Sequence, residues 1–387
     1  MCFFIINRAV VIQSLSTLEF ILLAIFALIV FIQLTYYWVV FARLAFFKPS
    51  KSSTAETPPP VSVVIAARNE YYNLNDNLPS ILEQEYPDYE VVVVNHASDD
   101  DTDLLLKEFK LKYSHLKVVT IQQDLNFFKG KKFPLSIGIR EAKNDVLLLT
   151  DADCKASSPH WIKSMATHYD SIKTQVVLAY GPYERKKGLL NLIIRYDTFM
   201  VGMQYLSFAL MGKPYMGVGR NLSYRKSLFM QHKGFVSHYG ISSGDDDLFI
   251  REVANKRNTA IELSPESFVY SKPKTSFIEW LKQKKRHLST SKAYKPAIKF
   301  LLGLFGLTQF LFWIMFVGLL LVGIDWRIVT GIFALRFVTQ IIVHKKVTGI
   351  LREQSLFLFS LLWEGVYSLI MPFLTLAGIF TKQSKWK

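Results

Sequence analysis

Long apolar runs stand at both ends of this 387-residue chain, and they constrain its fold more than anything between them. Phe20 to Phe41 carries no charge over 22 residues, enough to cross a hydrocarbon core of about 30 Å. Phe300 to Ile324 and Leu356 to Phe380 have the same character, and Ile328 to Val343 is a shorter, marginal run. The first run is too long for the apolar part of a cleaved signal peptide, and no A-x-A site follows it. Arg43, Lys48 and Lys51 follow it against a lone Arg8 before it. The positive-inside rule therefore puts the polar middle of the chain in the cytosol and the N-terminus outside. Three full spans after the middle of the chain would leave Lys382, Lys385 and Lys387 outside, so a re-entrant or interfacial segment is expected among them. Two charges interrupt these runs, Arg336 and Glu364. Charges inside a membrane pair or line a functional cavity, so a contact between the two is expected. The alternative puts Arg336 on an interfacial helix and Glu364 against the polar middle.

The expected organisation is a membrane anchor over residues 1–47, a polar linker over 48–60 closed by Pro58, Pro59 and Pro60, a cytosolic domain over 61–299 and membrane helices over 300–387. A net charge of +15 cannot come from the apolar runs, so the polar part is basic. Such a surface suits anionic lipid head groups or a phosphorylated substrate. Nucleic acid is not expected, because the chain has no zinc-finger or RNA-module signature. Cys2 and Cys154 offer neither a disulfide framework nor zinc spacing, which fits a reducing compartment.

From Val61 to about Lys299, apolar runs of four to six residues alternate with helical patterns. Val61 to Ala66, Val91 to Val94 and Val146 to Leu149 show no polar alternation, so both faces of these strands should be buried. This predicts an α/β domain with a doubly wound, mainly parallel sheet, whose ligands bind beyond the carboxyl ends of the strands.

Those ends carry the chemistry. The first strand runs into Ala67-Arg68-Asn69-Glu70, where free backbone N–H groups at a helix start suit phosphate or a polar ring. The second ends in Asn95-His96-Ala97-Ser98 and an acidic run to Thr102, which also reads as a helix N-terminus dressed with carboxylates. The strongest signal is Val146 to Asp153, a buried strand leading into Asp151 and Asp153. Period-two geometry points both carboxylates the same way, as a hard cation shared with substrate phosphates requires, so Mg²⁺ or Mn²⁺ is implied. Two solvated aspartates in a turn are the plain alternative. Lys129-Gly130-Lys131-Lys132 precedes a helical stretch and offers a cation for a diphosphate, or solvated charge alone. Gly244-Asp245-Asp246-Asp247-Leu248 concentrates carboxylates, one of which suits a general base. In Gln283-Lys284-Lys285-Arg286-His287, Arg286 suits a diphosphate bidentately, and a juxtamembrane lipid-binding cluster is the other reading.

In this order the stations resemble a family 2 glycosyltransferase. Ser80 to Pro87 is similar to the S-L-x-x-Q-x-Y-P stretch of that family, Asn95 to Thr102 to its D-D-x-S-x-D-x-T and Asp151 to Asp153 to its D-x-D. Asp245 to Leu248 resembles its E-D-x-x-L, and Gln283 to His287 its Q-x-x-R-W. The resemblance spans about Val61 to His287 and implies a GT-A fold and an inverting transfer, and with the charge flanks above, the expected place is the cytosolic face of a bacterial inner membrane. It implies a nucleotide-sugar donor held by Ala67, Arg68, Glu70, His96, Ser98, Lys132, Asp151 and Arg286, with Asp151 and Asp153 on the metal. The base would be Asp245 or Asp246, and spacing to Leu248 favours Asp245. Gln283, His287 and Asn221 fall on the acceptor or product side, Asn221 through the similarity of Gly217 to Arg225 to a G-x-x-x-x-x-Y-R region. His96 stands where the family has an aspartate near the base, which bears on UDP as the nucleotide. His287 replaces the tryptophan of processive synthases. One sugar passed to a lipid or lipid-linked glycan acceptor is therefore the expected reaction, with a polymerising synthase and a catalytically inactive membrane scaffold as the rivals.

Overall fold

The computed structural model describes residues 16–48, 58–122, 130–241 and 243–380. Arg8, Lys51, Lys129, the lysines at 382, 385 and 387, Cys2 and most of the linker lie outside them. The chain enters through helix α1 (Thr17–Thr35), passes a π-helical turn (Tyr36–Phe41) and continues in α2 (Ala42–Ala45). Next come β1 (Val61–Ala67), α3 (Tyr71–Asn77), α4 (Pro79–Leu82), β2 (Tyr89–His96), α5 (Thr102–Lys112) and β3 (Leu116–Ile121). They are followed by α6 (Lys132–Glu141), β4 (Val146–Asp151), β5 (Cys154–Ala156), α7 (Trp161–Ala166), β6 (Val176–Ala179) and α8 (Leu189–Leu210). The polar part closes with β7 (Leu222–Arg225), α9 (Lys226–Gln231), α10 (Asp247–Val253), β8 (Thr259–Glu262), β9 (Val269–Ser271) and α11 (Phe277–Ser289). Three long helices end the described chain: α12 (Pro296–Val322), α13 (Trp326–Ile350) and α14 (Phe357–Phe380).

Seven strands form one sheet in the order β3-β2-β1-β4-β7-β6-β8. Pairing is parallel except at β7, which runs antiparallel to β4 and β6. The unalternated valine and leucine runs become strands buried on both faces, as expected. Val63, Ile65, Val91 and Leu148 pack on the side of α3, α4, α5 and α7. Val64, Val92, Leu147 and Leu149 point the other way, toward α6 and α8. The strand order reverses between β1 and β4, so the switch-point crevice lies where their carboxyl ends diverge. Register fixes that rim, with Ala66 opposite Asp151 and Ala67 opposite Asn95.

Among the described residues, four helices are long and apolar enough to cross a membrane: Thr17–Ala45, Pro296–Val322, Trp326–Ile350 and Gln354–Gly378. The third is longer than the run Ile328 to Val343 suggested, because polar residues inside it are satisfied by neighbours. Arg336 and Glu364 form the expected pair, both fully buried and bidentate, with one N–H···O contact of 2.8 Å. Gln309 donates to the same carboxylate at 2.7 Å, and Tyr37 accepts from Arg336 at 3.1 Å. One ionic knot thus joins α12, α13, α14 and the π-helical turn after α1. The polar domain is packed onto this bundle without a break, since Phe41, Leu44, Phe305, Val343 and Leu351 share a core with Tyr196, Phe199 and Leu178. Buried Arg195 on α8 pairs with Glu353 and donates to Ser355 at 2.8 Å. Gly202 lets α8 lie close on the sheet, because a Cβ there would stand 2.6 Å from the Tyr180 ring.

Candidate active site

Asp151 is the last residue of β4, and Asp153 stands just before β5, which β9 holds by antiparallel pairing. The turn brings the side chains together. Oxygens of Asp151 and Asp153 and the Cys154 sulfur all lie within 4.8 Å of one another. Ser271 of β9 donates to Asp153 at 3.2 Å. Burial and then the Asp151 charge raise the Asp153 carboxyl above the ordinary carboxylate range. Asp151 is held low despite burial, by Lys131 and then by Arg220 and Arg286. Burial pushes the Cys154 thiol well above its ordinary range, and the two carboxylates offer the oxygen donors that a hard divalent cation takes. The repulsion that raises Asp153 is what such a cation relieves.

Around this pair lies a cavity of about 1350 Å³ whose wall includes Glu70, Lys131, Arg220, Asp245, Asp246 and Arg286. Lys131 pairs with Asp151, and its ammonium is stabilised against burial by Asp151, Asp245 and Asp246. Lys132, the residue expected at the donor, is directed elsewhere. Its buried ammonium donates to the carbonyls of His238, Ile241 and Ser243 at 2.7, 2.8 and 2.9 Å. Burial lowers its pKa to about 8. Successive residues in a helical turn point about 100° apart, and only tertiary packing decides which of two lysines meets the carboxylates.

The acidic cluster hangs on Gly244, whose φ of +85° is left-handed and whose missing Cβ leaves room for Leu248 at 2.6 Å. Asp246 caps α10. Its oxygens accept the N–H of Gly219 at 2.7 Å and of Asp247 at 2.8 Å. Burial, Asp245 and Asp247 together push its carboxyl up to about 7. Asp247 is buried and accepts from Thr290 at 2.6 Å and Tyr294 at 3.0 Å, tying α10 to the segment after α11. Asp245 completes the cavity wall between Lys131 and this cap.

On the opposite wall, α11 presents Gln283, Arg286 and His287, which the i, i+3, i+4 spacing puts on one face. Gln283 donates to Tyr183 at 3.2 Å, and the Arg220 guanidinium lies 4.2 Å from the Tyr183 ring centre. Neither Arg220 nor Tyr183 was singled out from the sequence. Arg220 sat in plain view within Gly217 to Arg225, whereas nothing local marks Tyr183. Asn221, placed on the acceptor side by its neighbourhood, is fully buried and saturated: it donates to Tyr180 and Ser267 carbonyls and accepts from Trp161 at 3.0 Å. At the β1 and β2 ends, Asn69 donates its N–H to Ser98 at 3.0 Å and Glu70 its N–H to Thr102 at 3.1 Å. These bonds zip the two polar edges together. Glu70 reaches the cavity wall, whereas Ser98 is engaged in the zip and His96 lies buried, edge-on to Phe133. Ala67 and Arg68 sit at the same rim, Ala67 as the last residue of β1.

Residues 62–232 match the model of Glycosyl transferase family 2. Poly-beta-1,6-N-acetyl-D-glucosamine synthase of Staphylococcus epidermidis is 32% identical over 130 residues, 32% of this chain and 30% of that protein. Probable glycosyltransferase YdaM of Bacillus subtilis is 33% identical over 149 residues, 36% of this chain and 34% of that protein. The chain thus spans about a third of the length of these two relatives. Among solved structures, mannosyltransferase PcManGT from Pyrobaculum calidifontis, in complex with GDP-Man and Mn²⁺, aligns with a TM-score of 0.57 at 18% identity. The alignment covers 90% of this chain and 99% of that one. At that identity the likeness shows the fold, and the fold is the GT-A type that the sequence led us to expect.

Proposed function

From the match of residues 62–232 to the model of Glycosyl transferase family 2, we propose that the protein is an inverting glycosyltransferase of that family. It takes a sugar from a nucleoside-diphosphate donor, with UDP the first candidate, and passes it to a lipid or lipid-linked acceptor at the cytosolic membrane face. One observation carries the reading: two converging carboxylates, the cations Lys131, Arg220 and Arg286 and a second acidic cluster share one cavity. Asp151 and Asp153 would hold Mg²⁺ or Mn²⁺, which neutralises the charge that grows on a departing diphosphate. The GDP-Man and Mn²⁺ of the archaeal neighbour agree with that chemistry.

Lys131, Arg220 and Arg286 surround the carboxylates and supply donors to phosphate oxygens as the sugar–phosphate bond breaks. The acceptor hydroxyl attacks in line from the far side, and its proton goes to a carboxylate. We assign that role to Asp245, because both oxygens of Asp246 already accept backbone N–H groups. Asp246, held by the N–H groups of Gly219 and Asp247, then fixes the turn from which Asp245 reaches the cavity.

The test is a screen of radiolabelled nucleotide sugars with the full chain in native lipid, with and without EDTA, on wild type, Asp153→Ala and Asp245→Asn. EDTA-sensitive turnover is expected, with weakened metal-dependent donor binding in D153A. In D245N donor binding should persist while turnover drops by about a hundredfold. Turnover indifferent to EDTA and to both substitutions would sink the proposal. A ladder of products instead of one added sugar would favour the polymerising reading, which the name of the staphylococcal relative keeps open.

A further inference from the structure

The cavity is larger than one nucleotide sugar needs, since pockets for ligands of that size run to roughly 1,000 Å³ at most. Its wall also changes character along its length. Where α12 and α14 line it, the wall is mostly apolar, with Gly303, Gly306 and Phe310 on α12 and Met371, Pro372 and Leu376 on α14. These residues belong to helices long and apolar enough to cross a membrane. A sugar chain seated there would leave its hydroxyls against hydrocarbon and lose its hydration, whereas an apolar chain gains by the same burial.

Gly303 and Gly306 are one helical turn apart on one face of α12. At neither does any atom beyond the adjoining backbone of the helix itself lie within 4 Å of where a Cβ would stand. The open strip above them is therefore part of the groove and is not filled by packing. Pro372 on the facing helix cannot donate to the carbonyl of Ser368, which removes one rung of the α14 ladder at the same place.

Resting on the proposed transfer reaction, we infer that the acceptor is a membrane lipid whose apolar chain lies in the groove between α12 and α14. It enters sideways from the bilayer and carries its hydroxyl to Asp245. The first experiment reconstitutes the full chain in vesicles of phosphatidylethanolamine and phosphatidylglycerol doped with a phosphatidylglycerol bearing a diazirine in mid-chain. Irradiation should label peptides within 302–310 and 371–376. The label should fall by about tenfold in Gly306→Leu and by less in Gly306→Ala, a gradation that general misfolding does not produce. The second uses vesicles of total bacterial polar lipid and the nucleotide sugar identified in the screen. Radioactivity should move into the organic phase in wild type and drop in parallel with the cross-link in the two variants.

Labelling no stronger than on the outward residues of α1, labelling unchanged in G306L, or a water-soluble product would each overturn the groove. The cross-link needs no turnover, so an inactive wild type that still labels these peptides would count against the transferase reading and leave the lipid groove standing.

Discussion

The two neighbouring lysines at the start of α6 make the sharpest test at the level of single residues. Lys132→Met should lower turnover by about tenfold or more while donor affinity, read by calorimetry, stays within about twofold. The substitution strips three carbonyls of the loop that leads to Asp245 and touches nothing on the donor side. A large loss of donor affinity would return Lys132 to the role its sequence position suggested. Asp246 gives a pH prediction. Its carboxyl is raised in the folded state to about 7, so the folded protein binds a proton that the unfolded chain releases near pH 4. That contribution to stability is full below about pH 4 and is lost as pH climbs through about 7. The drop in melting temperature between pH 5 and pH 8 should shrink in Asp246→Asn, and an equal drop in both proteins would contradict it. Asp151 and Asp153 were legible in the sequence because a strand has only two faces and both residues had to share one. The choice between Lys131 and Lys132, and the saturation of Asn221 by Trp161, Tyr180 and Ser267, were not, because each depends on partners tens of residues away.

At the level of elements, α14 is where the sequence reads a full span and the packing is informative. Just before it, Glu353 pairs with Arg195 of α8, and near its end Gly378 lies against Leu288 and the Lys285 carbonyl of α11. In between, Tyr367 donates to Asp197, which also pairs with Lys284. Both ends therefore touch the polar half, although a helix of this length standing upright would put them about 36 Å apart in depth. We expect α14 to lie along the membrane surface. A cysteine at Phe380, in a chain with Cys2 and Cys154 replaced, should react with an impermeant maleimide from the same side as a cysteine at exposed Leu111. Reaction from opposite sides would make α14 a true span. The parallel strands were readable as unalternated apolar runs. The antiparallel β7 and the long buried α8 were not, because β7 is four residues with ordinary alternation and α8 reads as one more amphipathic layer of an α/β domain.

For the molecule as a whole, the ionic knot and the shared core mean that domain and bundle fold as one body. Arg336→Met would leave Glu364 buried without its partner, a change that costs about 3–5 kcal/mol when a buried pair is broken on one side. A marked fall in detergent melting temperature is expected, relieved in part when Glu364→Gln is added. If the single variant melts like wild type, the pair is not holding the helices together. The passage from carboxylates to hydrocarbon along one unbroken wall has a kinetic corollary. A reactant confined to a leaflet is encountered by diffusion in two dimensions, so diluting it with inert lipid should slow the reaction even when its amount per millilitre is unchanged.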